Sequence, residues 1–201
     1  TLDQAIASTT AKQKMFNVHT NGMVYKEDLV EKFSKFKSAH IGFSIDGIGE
    51  KNDYIRYGSK WEDIIDNLKK YMDDCKKYNN VNIGVRATIT PWNIYHYGEN
   101  HDYFKKLGIN ATGVWCDDKP WNDVRYLPNK IKDAVIEKLS LYDNDEESWS
   151  ILFDDIKKWL RTTPDDHEQL QHSFMEFNNK IDQVRKEKFS STFPEYSKLF
   201  V

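Results

Sequence analysis

The sequence predicts an α/β fold: about four parallel strands with intervening helices, followed by an all-helical C-terminal region. Three observations carry this. Short apolar runs alternate with amphipathic stretches as far as Cys116. The runs are joined by amphipathic helical crossovers of roughly 10–20 residues, the length that joins parallel strands. From Asp117 onward only the helical period continues.

Each element has its own signal. Phe16 to Thr20 (FNVHT) is a short strand ended by the Asn21-Gly22 turn. Lys26 to Lys37 sets Leu29, Val30, Phe33 and Phe36 on one helical face. His40 to Asp46 (HIGFSID) is a second strand, closed by Gly47 and Gly49. Trp61, Ile64, Ile65, Leu68, Tyr71, Met72 and Cys75 form the clearest amphipathic stripe in the chain. Val81 to Thr90 is a third strand stopped by Pro91, and Glu99 to Leu107 a shorter helix ending at Gly108. Ile109 to Cys116 is a fourth strand, weakened by Asn110 and Gly113. Four strands suit an open sheet or a barrel segment and are too few for a closed eight-stranded barrel. Further on, Pro128 starts a helix with Ile131, Val135 and Leu139 on one face, and Asp143 to Ser148 reads as an acidic loop. Ile151 to Leu160 is another helix, carrying Ile156 and Trp159. Thr163-Pro164-Asp165-Asp166 opens a last one, with Leu170, Phe174, Phe177, Ile181 and Val184 on its stripe.

Composition narrows the function classes. The 201 residues are 39% hydrophobic, 30% charged and 14% aromatic. Lys+Arg 29 against Asp+Glu 32 leaves −3, with the signs interspersed, so neither a basic footprint for nucleic acid nor an acidic tail is present. A mean hydropathy of −0.76, with no apolar run of membrane-spanning length, points away from the membrane. Cys75 and Cys116 make neither a disulfide framework nor a CxxC pair, and no signal-peptide pattern opens the chain; a reducing, cytoplasmic setting follows.

Polar clusters recur at the C-terminal ends of three successive strands, where parallel α/β folds place their sites: Thr20-Asn21-Gly22, Ser44-Ile45-Asp46-Gly47 and Arg86 to Asn93. Singly, Asn-Gly and Asp-Gly are ordinary turns; their recurrence carries the information. In this order, HTNG, then FSIDG, then KNDYIRYG before WEDIIDNLKKY, then VNIGVRATIT with Asn93, the chain resembles the radical S-adenosylmethionine (radical SAM) superfamily. SIDGIGEKNDYIRYGSKWEDIIDNL is the most specific stretch. The later VRYLPNKIKDAVIEKL and KIDQVRKEKFSSTFPEYSKLF are similar to the tail of twitch-domain-type members from marine bacteria and their phages.

The resemblance implies the C-terminal part of a partial (β/α)6 TIM-like barrel, strands three to six, over residues 1–118, with a helical region over 119–201. It implies an enzyme that cleaves S-adenosylmethionine reductively at a [4Fe-4S] cluster and uses the resulting 5′-deoxyadenosyl radical to abstract hydrogen from a substrate, a peptide or protein among the options. An electron donor such as flavodoxin or ferredoxin would accompany it. By position, Ser44, Asp46 and Arg86 would hold the cofactor: Ser44 at its ribose or methionyl part, Asp46 at the turn or the same hydroxyls, Arg86 at its carboxylate. Thr20 and Asn21 would border the substrate. The CxxxCxxC loop and the Gly-Gly-Glu segment of that family are absent, so the cluster's ligands are expected upstream and the chain is expected to be an N-terminally truncated fragment, inactive alone. A non-catalytic α/β binding or scaffold domain that has lost the cluster is the alternative.

The remaining candidates read structurally. Asp53 and Arg56 pair along a helix surface, and Thr90 and Asn93 cap the next helix. Cys75 belongs to the core, and Cys116 to the edge of a site or to structure. His96 with His101, and His167 with His172, lack a third metal ligand at a suitable spacing. Trp115, Trp121, Trp149 and Trp159 pack. Gly47-Ile48-Gly49-Glu50 follows a strand but lacks the spacing of a phosphate-binding loop.

Overall fold

The computed structural model describes residues 2–7, 10–142 and 148–199, with side chains at 148–151 and 197 left aside. The acidic loop expected before Ser148, and the side chain of Trp149, lie outside what is described. The chain is α/β. It runs α1 (Leu2–Ala7), β1 (Met15–Thr20), α2 (Leu29–Phe33), β2 (Ser38–Ser44), α3 (Glu50–Ile55), α4 (Trp61–Cys75), β3 (Val81–Ile89), α5 (Tyr97–Lys106) and β4 (Asn110–Trp115). Helices alone follow: α6 (Asn129–Ser140), α7 (Ser148–Arg161), α8 (His167–Leu170), α9 (Ser173–Arg185), α10 (Phe189–Thr192) and α11 (Pro194–Leu199). The sheet has four strands in the order β1-β2-β3-β4, and the first three pair in parallel. The chain divides into two compact units, Thr1–Ala87 with Tyr103–Thr112, and Thr88–Asp102 with Gly113–Val201.

In the first unit the core lies on one face of the sheet. Ala39, Ile41 and Phe43 of β2 and Val81 and Val85 of β3 pack with Val30 and Phe33 of α2, Ile64, Leu68 and Tyr71 of α4 and Phe104 of α5. This is the expected result of sequential strand order. Right-handed crossovers that all step in the same direction leave every helix on the same side. Helix α4 matches its sequence pattern closely, and Leu68 and Ile64 are fully buried.

Two elements of the first unit differ most from expectation, each at both ends. The helix expected over Lys26 to Lys37 shrinks to Leu29–Phe33. At its start, the Lys26 amide donates to the Tyr71 hydroxyl (2.9 Å) and the Tyr25 hydroxyl to Asp74 (2.5 Å). At its end, the Lys37 amide donates to Lys14 O (3.0 Å), which draws the chain into the sheet. Phe36 stays buried by stacking on Phe16, ring centroids 4.8 Å apart. The second strand begins and ends two residues earlier than expected. Ser38 and Ala39 pair with Met15 and Phe16, while the Asp46 amide is taken by the side chain of Asn52 (3.2 Å).

In the second unit Ile131, Val135 and Leu139 of α6 are buried as expected, with Phe153, Ile156 and Leu160 of α7. Trp92, Phe174, Phe189 and Tyr196 form an aromatic chain with successive ring centroids 5.3–5.4 Å apart. The Tyr196 hydroxyl donates to Pro91 O (2.5 Å), and Trp92 Nε1 to Asn178 (2.7 Å). The single helix expected from Thr163 onward is two helices, starting at His167 and broken at Gln171–His172. Val184 does not continue the stripe and is 83% exposed. The Asp182 carboxylate accepts from the Phe189 amide (2.7 Å), and Lys186 takes a left-handed conformation. The chain therefore turns back here and leaves Val184 uncovered by the described residues.

Leu68→Ala is expected to cost about 2–5 kcal/mol, since it empties a fully buried site, whereas Val184→Ala should stay within about 0.5 kcal/mol. Urea denaturation midpoints of the two variants check this contrast.

Candidate functional site

With the helices on one side, the other face of the first unit's sheet is open, and the sequence makes it polar. Residues paired in register share a face. The pairs His19–Gly42, Gly42–Gly84, Asn17–His40, His40–Asn82 and Ser44–Arg86 therefore line one surface across β1, β2 and β3. Asn17, His19, His40, Asn82 and Arg86 are exposed and Ser44 half-buried. No strand residue of the sheet is acidic.

Two glycines shape this face. A Cβ on Gly42 would stand 2.5 Å from His19 Nδ1, and one on Gly84 3.0 Å from His40 Cε1. Each imidazole thus lies over the bare backbone of the next strand. Because Gly42 lets the His19 ring lie down, its Nε2 reaches Arg86 Nη1 at 3.2 Å, from β1 to β3. A guanidinium only donates, so Nε2 accepts and the His19 proton sits on Nδ1 in this arrangement. Among the described residues Arg86 has no carboxylate partner. Partial desolvation of the His40 ring where it lies over the strand backbone lowers its pKa from its ordinary 6.5, with the neighbouring His19 adding to the shift.

The loop after β2 is a closed polar network. Asp46 is buried, and its Oδ2 lies 2.9 Å from Arg56 Nη2. Asn52, fully buried, accepts from the Asp46 amide and lies 3.5 Å from Ser59 Oγ through its Nδ2. Ser59 donates to Asp53 (3.1 Å), and the other oxygen of Asp53 accepts from the Trp61 amide (3.1 Å). Asp53 thereby caps α4 from eight residues upstream, where the local Lys60 offers no side-chain cap. The expected Asp53–Arg56 pair is corrected on this point: Arg56 turns to Asp46, because a buried carboxylate binds a guanidinium more tightly than an exposed helix surface does. Arg56 Nε is buried without a partner among the described residues.

Ser44 and Arg86, expected together, are brought together as register partners on the open face. Asp46 sits at the same strand end with its carboxylate engaged by Arg56. Thr20 pairs with Phe43 on the opposite, helix-covered face, and its Oγ1 accepts from the Gly22 amide (3.1 Å). Asn21, exposed, accepts from the Met23 amide (3.2 Å). Asn93 does not cap the next helix with its side chain. It clasps the end of β3, accepting from the Thr90 amide (2.9 Å) and donating to Thr88 O (2.7 Å). Sequence reasoning missed His19, His40, Asn52 and the Asp46–Arg56 pair. The first two had a signal in the every-second-residue pattern Asn17-His19, His40-Gly42-Ser44 and Asn82-Gly84-Arg86.

The cysteines are placed unfavourably for metal ligation. Cys75 is in the core, and burial pushes its thiol up to about 11. Cys116 is half-buried beside Asp118 (Sγ–Oδ1 3.4 Å), and burial with that carboxylate pushes it up to about 11 too. His96 lies between Glu99 (2.5 Å) and Glu195. Trp115 packs on Trp159 and Trp121 on Phe177.

No family model and no curated protein matches the chain. Among solved structures it is similar to anSMEcpe with bound AdoMet (16% identity, TM-score 0.46, 63% of this chain and 35% of that one). It is also similar to anSMEcpe with AdoMet and the Kp18Cys peptide (17%, 0.46, 67% and 38%) and to hexahistidine-tagged anSMEcpe with AdoMet (17%, 0.44, 73% and 37%). This chain thus spans little more than a third of each of those proteins. At such identities and TM-scores the likeness assigns no family. No helix among the described residues is long and apolar enough to cross a membrane.

Two outcomes follow from this geometry. Asn52→Ala strands the buried Asp46 amide and should cost about 1–3 kcal/mol in urea denaturation. As pH falls below about 6.5, the unfolded chain protonates His40 before the folded chain does, so its contribution makes stability decline. His40→Gln should flatten that part of the pH-stability curve between about pH 7.5 and 5.5.

Proposed function

We propose that residues 1–118 contribute the S-adenosylmethionine-facing strands of a radical SAM enzyme, with residues 119–201 as its helical C-terminal region. One observation carries this reading: Ser44 and an arginine without an acidic partner among the described residues, Arg86, stand side by side at the C-terminal end of an open, acid-free sheet face. The motif order SIDG, NDYIR and VRATIT supports it. The residues fit the methionyl end of the cofactor. The Ser44 hydroxyl donates to or accepts from its polar atoms, and Arg86 meets its carboxylate with two parallel N–H groups. Asp46 acts by holding Arg56, which fixes the loop that follows β2 at the same strand end. Thr20 and Asn21 shape the turn that borders the substrate, in this reading a peptide or protein.

When bound together, S-adenosylmethionine and a [4Fe-4S] cluster supply one-electron, hydrogen-abstracting chemistry, fed by a flavodoxin- or ferredoxin-type donor in the cytoplasm. The cofactor's part of that pair fits this chain, and the cluster's does not. Cys75 is enclosed in the core and Cys116 has one acidic neighbour in place of further thiols, so cluster ligands belong to sequence outside these residues. What this chain's residues do is bind and orient the cofactor and keep water from one side of it. A second reading, a cluster-free α/β binding domain, is favoured by the state of those two cysteines and shares the same binding face.

Calorimetry with S-adenosylmethionine tests the proposal. Ser44→Ala and Arg86→Gln should each weaken binding about tenfold, or about 1.4 kcal/mol, while leaving the urea midpoint nearly unchanged. Absence of millimolar binding by the wild-type chain, or indifference to both substitutions, overturns it. Reconstitution of this chain with iron and sulfide should give no charge-transfer band near that of a cubane cluster.

A further inference from the structure

Two features on the open face remain unused: the His19–Arg86 contact, and the glycine that lets His19 lie flat. We propose that Arg86 and His19 form one proton-coupled site for a carboxylate, in which His19 changes from hydrogen-bond acceptor to donor as the anion arrives. The inference rests on the reading of Arg86 as an anion-binding group and is independent of the cluster.

The exchange follows from donor and acceptor chemistry. Without an anion, Arg86 Nη1–H donates to the neutral His19 Nε2 at 3.2 Å. A carboxylate on the guanidinium competes for that N–H. If Nε2 stayed neutral it would turn a lone pair toward the incoming negative charge. Uptake of one proton from solvent at Nε2 breaks the Nη1–H···Nε2 bond and leaves two cationic donors, Nη1–H and Nε2–H, facing the anion. The charge balance is one carboxylate and one proton bound together. Arg86 from β3 and His40 from β2 are the titratable or charged groups that face His19 from the neighbouring strands. No Asp or Glu on the strands substitutes for the ligand.

The carboxylate belongs either to the cofactor or to a separate acidic ligand, and two probes separate these sources. S-adenosylhomocysteine carries the amino-acid carboxylate of the cofactor, and acetate carries the carboxylate alone. Histidine Cε1–H resonances of the 201-residue chain, assigned with His19→Gln and His40→Gln, are followed from about pH 5 to 8 with each probe. The expected result is an upward move of the His19 midpoint with S-adenosylhomocysteine, and no such move in Arg86→Gln. A matching response to acetate shows that the carboxylate by itself is enough; a response to S-adenosylhomocysteine alone assigns the site to the cofactor. In calorimetry across buffers of different ionisation heat, wild type should take up as much as one proton per ligand. Its affinity should rise by up to about tenfold per pH unit on acidification, and His19→Gln should show neither effect. Gly42→Ala is the second variant: its Cβ would fall 2.5 Å from His19 Nδ1, so the ring is displaced with every charge retained, and the coupling should vanish. A His19 midpoint unmoved by both probes, or proton uptake that persists in His19→Gln, overturns the inference. If S-adenosylhomocysteine binds without proton uptake, the proposed function stands and this inference falls. If acetate moves His19 while S-adenosylhomocysteine does not bind, the reverse holds.

Discussion

Burial of one sheet face against α2, α4 and α5 is the constraint on which the rest of the first unit depends. Ile41, Phe43 and Val85 have one apolar side on which to pack, and strand order β1-β2-β3-β4 with right-handed crossovers puts all three helices there. A doubly wound sheet would have covered both faces and would have demanded apolar residues on both. Here alternate strand positions carry Asn17, His19, His40, Asn82 and Arg86, which remain solvated because the helices of this unit pack on the other side. The open face is therefore a product of topology, and its polarity is a product of the period-two pattern.

Close approach then organises the open face. Gly42 and Gly84 remove the side chains that would keep neighbouring imidazoles upright, so His19 and His40 lie over them. The reach of Arg86 to His19 across β2 follows from this absence of a Cβ. The loop after β2 is organised in another way, by satisfaction of buried polar groups. Asp46, Asn52, Asp53, Arg56 and Ser59 bond to one another and to the amide that opens α4. A buried carboxylate or amide without a partner is costly, so the stretch SIDGIGEKNDYIRYGS holds together as one structural unit at the C-terminal end of the sheet.

The second unit depends on aromatic packing and on a few buried polar anchors. Trp92, Phe174, Phe189 and Tyr196 contact one another in an aromatic chain, and the Trp92 and Tyr196 polar atoms end on Asn178 and Pro91 O. Lys132 is buried as well: its Nζ lies 3.3 Å from Arg125 O, and burial lowers its pKa. The Arg125 guanidinium forks onto Asp123 and lies 4.2 Å from the Trp159 ring. Periodicity gives no access to these contacts, because nearly all of them join residues from separate segments of the chain.

By itself the sequence determined the α/β class, the four strands, the long helix α4 and the pairing of chemistry-bearing residues with strand ends. These follow from local rules: a period of two, a period of 3.6, and turn residues that stop each run. Ser44 and Arg86 were singled out by the family resemblance, and their neighbouring register came from the fold. Only the tertiary structure decided which face of the sheet was free, since alternation is symmetric until helices cover one side. It alone moved Arg56 from Asp53 to Asp46, left Val184 exposed on α9 where the stripe was expected to bury it, and set Thr20 on the helix-covered face. Partners chosen by burial and by long-range register depend on where distant segments meet, and local sequence holds no record of that.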